Sequence, residues 1–255
     1  MSGGDVRPSY LLDCVAEQVL AEVRFNDVPV FRSAGKQTHS ISVRLNPFAL
    51  SSGNIVSVRL RSWDPPAPAP KFQASLYRMM AEDEITPIAQ LRFRPEMHRI
   101  EKDGFTEIFR HTSTFRDDFG EWAFEKALPY DEARDRPALI EGVERLHASL
   151  AASDGEAFVE QSRLKLSEQA RSLGKDPATE IERQRKWIGG LLKLAKFQVE
   201  PLEPESLAIE GVAGGRLVMV RSPKGEPALR GTLDGEKFMF DIMMMREGER
   251  WVAAR

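Results

Sequence analysis

Pro129-Tyr130-Asp131-Glu132-Ala133-Arg134-Asp135-Arg136-Pro137 is the stretch on which the fold turns. Before it, apolar residues recur at every second position; after it, at every third or fourth. The first rhythm belongs to half-buried strands and the second to amphipathic helices. On the far side Leu139, Val143, Leu146 and Leu150 are spaced by four, three and four, so they share one helix face. Asp135 is placed to cap that helix, with Pro137 in its first turn, where a missing N–H is harmless. This charged, proline-bounded segment predicts a domain boundary, with residues 1–130 in one domain and 131–255 in the next.

Back toward the N-terminus, Val19, Ala21, Val23 and Phe25 alternate with polar residues. Asn26-Asp27 marks a turn, from which residues 28–31 return as a hairpin. Ile41, Val43 and Leu45 alternate next, then Val56, Val58 and Leu60. Phe72, Ala74, Leu76, Arg78 and Met80 follow, with Leu91 and Phe93 after a turn at Thr86-Pro87. Phe105, Glu107 and Phe109 come next, then Trp122, Phe124 and Leu128. About seven short strands with turn signals between them predict a β-sandwich. The proline-rich run at residues 64–70 cannot donate backbone hydrogen bonds at its prolines, so it reads as a stiff surface connector.

Toward the C-terminus, Ser153 or Asp154 caps a second helix whose Phe158, Leu166, Ala170 and Leu173 share a face, and Gly174 closes it. Asp176-Pro177 opens a third, with Ile181, Ile188, Leu191 and Ala195 inward. Gly189-Gly190 weakens it by about 1 kcal/mol per glycine, enough to kink or end it there. Strands then cover residues 197–202, 207–212, 216–221, 227–233, 237–245 and 250–254. Asp234-Gly235 and Glu247-Gly248 mark tight hairpins. Helices followed by an antiparallel meander is α+β grammar. The expected fold is α+β overall: an all-β sandwich, then an α+β domain with three helices packed on a curved antiparallel sheet.

Two resemblances follow from these segments. Phe25-Asn26-Asp27-Val28-Pro29-Val30, together with residues 41–58 and their Gly53-Asn54 turn, resembles the jelly-roll module that precedes many glycoside-hydrolase catalytic domains. Asn26-Asp27 stands where that group usually has Asn-Gly. The resemblance implies a jelly-roll sandwich and transfers sugar binding to no residue; Gly53 and Asn54 suit a turn of positive φ. The element order over residues 135–255 is similar to the cone-shaped nuclear-transport-factor-like fold, which implies helices packed into a curved sheet around a pocket. That fold hosts enzymes, ligand binders and interaction modules, so it implies no activity by itself.

Composition narrows the function classes. With 36 basic against 39 acidic residues and no basic stripe, the chain lacks the excess that phosphate neutralisation needs, and no nucleic-acid partner is expected. Arg183, Arg185 and Lys186 lie beside Glu180 and Glu182 and read as a solvated helix face. No stretch approaches the roughly 18 apolar residues of a membrane helix, so no membrane insertion is expected. Cys14 is the single cysteine, which excludes an internal disulfide and a cysteine metal site. Arginine outnumbers lysine 25 to 11, a mark of GC-rich coding that suggests a bacterial source. The expected compartment is the cytosol as the chain stands, or a periplasm if a leader preceded Met1-Ser2-Gly3-Gly4.

No catalytic signature emerges. His39, His98, His111 and His147 show no metal-helix spacing. His147 follows core-facing Leu146 and reads as a boundary residue. His111 lies near Thr112, Ser113 and Thr114, but nothing resembles Gly-x-Ser-x-Gly. Asp117-Asp118 with Glu121 could bind a cation, or simply cap a turn. The glycines at 211–215 precede no Gly-Lys-Ser/Thr and no helix. Residues 238–245 are apolar on both strand faces, with Phe238, Phe240, Ile242 and Met244 on one and Met239, Asp241, Met243 and Met245 on the other. Such a strand is covered on both sides, by core alone or by a partner as well, and methionine suits an adaptable interface.

These readings point to a non-enzymatic interaction protein acting through protein–protein contacts, of immunity type or an envelope accessory. A protein partner is expected, including a second copy through the C-terminal sheet, and no cofactor or metal. The candidate binding residues are Trp187, Asp241, Met243, Met245 and Trp251. Two alternatives stand. One is a small-molecule binder or enzyme using a pocket in the C-terminal domain; the other is carbohydrate binding by the sandwich, with Trp63 and Trp122 as candidate platforms.

Overall fold

The computed structural model describes residues 7–33, 37–50, 53–63, 69–80, 84–97, 99–113, 119–194 and 197–255. The expectations placed on residues 64–68, His98, Thr114, Asp117-Asp118 and Ala195 lie outside the described residues. The chain divides into two compact units, Met1–Glu121 with Ser172–Gly174, and Trp122–Arg171 with Lys175–Arg255.

The first unit holds β1 (Ser9–Glu17), β2 (Leu20–Phe25), β3 (Val28–Arg32), β4 (His39–Arg44), β5 (Asn54–Arg61), β6 (Lys71–Met79), β7 (Ile85–Arg92) and β8 (Thr106–Ser113). They form two four-stranded antiparallel sheets, ordered β4-β1-β6-β7 and β3-β2-β5-β8. Asn26 and Asp27 both take positive φ, 51° and 65°, between the paired Phe25 and Val28. That is the two-residue turn whose twist matches a hairpin. Strand β1 is absent from the sequence reading. Its buried Tyr10, Leu12, Cys14 and Ala16 alternate as a strand should, but Leu11 and Val15 on the other face blur the period. Pro87 lies inside β7 rather than in a turn; β7 is an edge strand, where a residue without N–H is tolerated.

Three asparagines fasten the connections of this unit. Asn26 donates from Nδ2 to the Phe48 carbonyl (2.7 Å) and to Asn54 Oδ1 (2.8 Å), and its Oδ1 accepts from the Ile55 amide (2.8 Å). Asn54, wholly buried, exchanges two hydrogen bonds with the Leu50 backbone. Asn46 Oδ1 accepts from the Tyr10 amide and its Nδ2 donates to the Pro8 carbonyl. Only Gly53 takes the positive φ (69°) expected of the Gly53-Asn54 pair; Asn54 begins β5 and acts through its amide.

In the second unit a 3-10 turn, Ala123–Lys126, precedes α1 (Glu132–Ala151), α2 (Gly155–Gln161), α3 (Arg163–Ser172) and α4 (Pro177–Leu192). Trp122–Leu128 is therefore not a strand. The strands are β9 (Phe197–Val199), β10 (Ala208–Val212), β11 (Leu217–Arg221), β12 (Leu229–Leu233), β13 (Glu236–Phe240), β14 (Met243–Glu247) and β15 (Arg250–Ala253). They form two antiparallel sheets, β10-β11-β14-β15 and β13-β12-β9, in place of the single curved sheet expected. On one edge of β11, Val218 and Met219 pair with β14, while Arg221 bridges Pro227 and leads into β12.

The helices begin where acidic caps place them. Asp154 accepts from the Ala157 amide and Asp176 from the Thr179 amide. α1 starts earlier than expected, capped by Asp131, which accepts from the Arg134 amide at 2.9 Å. Asp135 instead accepts from the Asp131 amide and pairs with Arg134 and Arg246. The single second helix expected divides at Ser162 into α2 and α3, so four helices, not three, stand among the described residues. α4 runs through Gly189-Gly190 without ending. A Cβ on Gly155 would lie 3.2 Å from the Gly189 backbone, so Gly155 allows α2 and α4 to cross closely.

Leu139, Val143, Leu146 and Leu150 pack with Val218, Leu229, Met244 and Trp251 in one buried core. The void between Val143, Leu229 and Phe240 measures about 10 Å³, barely the room of a single water. Around Val143, Leu229 and Phe240 the core is thus filled by side chains.

Candidate functional site

The site originates in a broken strand. Residues 237–245, read from sequence as one strand, part at Asp241-Ile242, and the two halves enter different sheets. A backbone carbonyl at such a break loses its ladder partner and needs another. Lys165 of α3 supplies it, its Nζ donating to the Asp241 carbonyl at 2.6 Å.

Around this contact lies a cavity of about 300 Å³. α2 contributes Phe158 and Val159, and the α2–α3 junction Ser162. α3 adds Lys165, Leu166 and Gln169; α4 adds Gln184, Trp187 and Ile188; Met239, Phe240, Asp241 and Ile242 close the far side. The helical residues fall at three- and four-residue spacings, so each helix turns one stripe to the cavity. Phe158 and Phe240 meet with ring centroids 5.2 Å apart, and Phe238 joins Phe240 to Trp187 at 5.1 and 6.1 Å. Trp187 and Met239, at 48% and 50% exposure, form an apolar rim open to water.

Two polar groups in this lining are underused. The Ser162 hydroxyl is buried, with no hydrogen-bond partner among the described residues. Lys165 is half-buried, and partial burial of its side chain pushes its pKa down to about 8. The Asp241 charge opposes that shift and the Arg255 charge adds to it. Arg255 is itself buried, ion-paired to Glu168, and stacked over Trp122 and Phe124 at 4.9 Å from each ring centroid.

Of the five residues singled out in the sequence, the structure brings Trp187 and Asp241 to this cavity and leaves the other three elsewhere. Met243 and Met245 are buried in β14, on the face opposite core-facing Met244. Trp251 belongs to the core, edge-on to Tyr130 at 5.7 Å. It also touches a larger groove of about 800 Å³ whose lining includes Arg145, Arg163, Asp176, Glu247 and Arg250. Lys165, Ser162 and Phe158 were not recognised as site residues. A trace was present: Lys165 sits on the stripe that runs from Phe158 through Leu166, on the side turned inward.

The remaining candidates resolve into structural roles. His147 Nε2 lies 2.8 Å from the Glu200 carbonyl. His111 stacks on Phe109, and Ser113 makes no hydrogen bond to it. Ala213, Gly214 and Gly215 all take positive φ in the tight β10–β11 connection. Trp122 is fully buried between the Arg171 and Arg255 guanidinium groups, so it offers no exposed platform for a sugar. Among the described residues no three His, Cys, Asp or Glu side chains are grouped to hold a metal, and no helix is long and apolar enough to cross a membrane. Compared with protein-family models, curated proteins and solved structures, the chain matches none of them.

Proposed function

We propose that the protein is a binding protein whose second unit holds a small amphipathic molecule in the cavity between α2, α3, α4 and the β13–β14 break. The observation that carries this reading is the coincidence of an aromatic wall, a half-exposed apolar rim and an underused ammonium around one opening. Such a composition, mostly apolar with a few convergent polar groups, is what small-molecule sites have in common. The reading is framed by a larger architectural proposal. The first unit is a jelly-roll-like sandwich, supported by its two four-stranded antiparallel sheets and the alternating burial of β1, and the second is a cone-like domain.

A second reading, protein–protein contact, draws on Trp187, Met239 and Leu194, each about half exposed. A second copy or an unrelated protein would cover them. Both readings answer to one set of samples. Nile red, a neutral apolar dye, should bind wild type at one saturable site, and Trp187→Ala/Met239→Ala should weaken it about tenfold. Light scattering on the same samples reads the assembly. Dye binding untouched by the double substitution, together with a dimer that the substitution dissolves, would replace the pocket reading with the contact reading.

A further inference from the structure

We propose that the ligand of this cavity is a small monocarboxylate with an aryl or alkyl body, its carboxylate paired with Lys165 and its body against Phe158, Phe240 and Trp187. The inference rests on the pocket reading above and names the ligand class. An ammonium has three N–H donors. Lys165 uses one, on the Asp241 carbonyl, and no other acceptor among the described residues takes the remaining two. A carboxylate offers two oxygens with acceptor sites to spare, and hydrogen bonds between ionised groups are the strong ones.

Charge bookkeeping around the ammonium favours the same class. The charged groups that act on Lys165 are Asp241, at the β13–β14 break, and Arg255, beyond β15. Arg255 already has its own counter-ion in Glu168. The lining from α2 and α4 is uncharged: Phe158, Val159, Gln184, Trp187 and Ile188. Asp241 forms no ion pair with Lys165; only its carbonyl is engaged. A half-buried cation beside apolar walls gains most from an anion that joins it there. One positive charge matches one negative charge, which favours a carboxylate over a phosphate dianion. At about 300 Å³ the space is at the small end of ligand pockets.

Calorimetry with a matched pair, 3-phenylpropionate and 3-phenylpropionamide, tests this on the full chain. At pH 7 the acid should bind at least tenfold more tightly than the amide. Lys165→Met should erase the preference while leaving amide binding in place. Asp241→Asn, which removes a negative charge that holds the ammonium protonated, should move the loss of acid affinity to lower pH. Affinity for the acid should fall as pH rises through about 8, where Lys165 gives up its proton. Equal binding of acid and amide to wild type would overturn the ligand class and leave the pocket standing. A preference that survives Lys165→Met would place the anion elsewhere, and binding of neither compound would sink both readings. Circular dichroism of each variant separates lost binding from lost folding.

Discussion

The buried asparagines of the first unit and the Lys165–Ser162 pair of the second are polar groups in opposite states. Asn54 is wholly buried, and both ends of its amide are engaged, with Leu50 and with Asn26. Ser162 is just as deeply placed, yet its hydroxyl has no partner among the described residues, and Lys165 uses one donor of three. A satisfied polar network specifies structure, because removing any member strands the others. An unsatisfied group beside a cavity stabilises nothing in the empty protein and is available to a ligand. The difference separates side chains whose polar atoms are all spent on the fold from side chains that keep some for an occupant.

The largest way to break this contrast is Asn54→Ala. It removes three hydrogen bonds from a buried site, and the stranded Leu50 and Asn26 groups should cost about 3 kcal/mol in all. Urea denaturation measures it; a loss under 1 kcal/mol would mean that water replaces the amide and that the network is not what holds the connections.

Lys165 sharpens the contrast through pH. Its folded pKa of about 8 lies below the ordinary lysine value of 10.5, so between these limits the unfolded chain binds more protons. Stability from this group therefore rises with pH across that window. Cys14, whose thiol burial pushes up to about 12, works in the opposite direction from pH 9 upward, so the comparison must be between variants. Wild type should gain about 1 kcal/mol on Lys165→Met between pH 8 and pH 10.5, a figure reduced for solvent reaching the rim. Parallel stability curves for the two proteins would show that the ammonium is fully hydrated.

Ser162→Ala should have the smallest effect, a stabilisation of about 0.5 kcal/mol from removing an unpaired buried hydroxyl. A loss above 1 kcal/mol in the same denaturation experiment would reveal a partner for it and remove Ser162 from the comparison.

Legibility in the sequence followed the range of the interaction. The Asn26-Asp27 and Asp234-Gly235 turns were readable because their backbone demands fall on the turn residues themselves; Asp234 and Gly235 take φ of 55° and 83°. Asp154 and Asp176 were readable as caps because each bonds an amide three residues on. The Gly248-Glu249 turn lies one residue beyond the Glu247-Gly248 signal, since the pairing of Glu247 with Arg250 sets the register. The second helix was misread as continuous because Phe158 and Leu166 keep one stripe while the backbone changes axis at Ser162. Of the site, Trp187 and Asp241 were singled out in the sequence, Asp241 as the one charge in an apolar strand. Lys165 was not, because a lysine on a helix reads as solvent-facing until a strand is known to break beside it.

What the sequence determined by itself is local: the change of rhythm after residue 130, the α1 face of Leu139, Val143, Leu146 and Leu150, and the tight turns between strands. What tertiary structure alone decided is the parting of residues 237–245 at Asp241-Ile242 and the arrival of Lys165, 76 residues earlier in the chain, at the carbonyl this exposes. Periodicity records which side of an element is buried. It does not record where a strand must leave one sheet for another, because that choice belongs to the partners on either side and not to the strand's own residues.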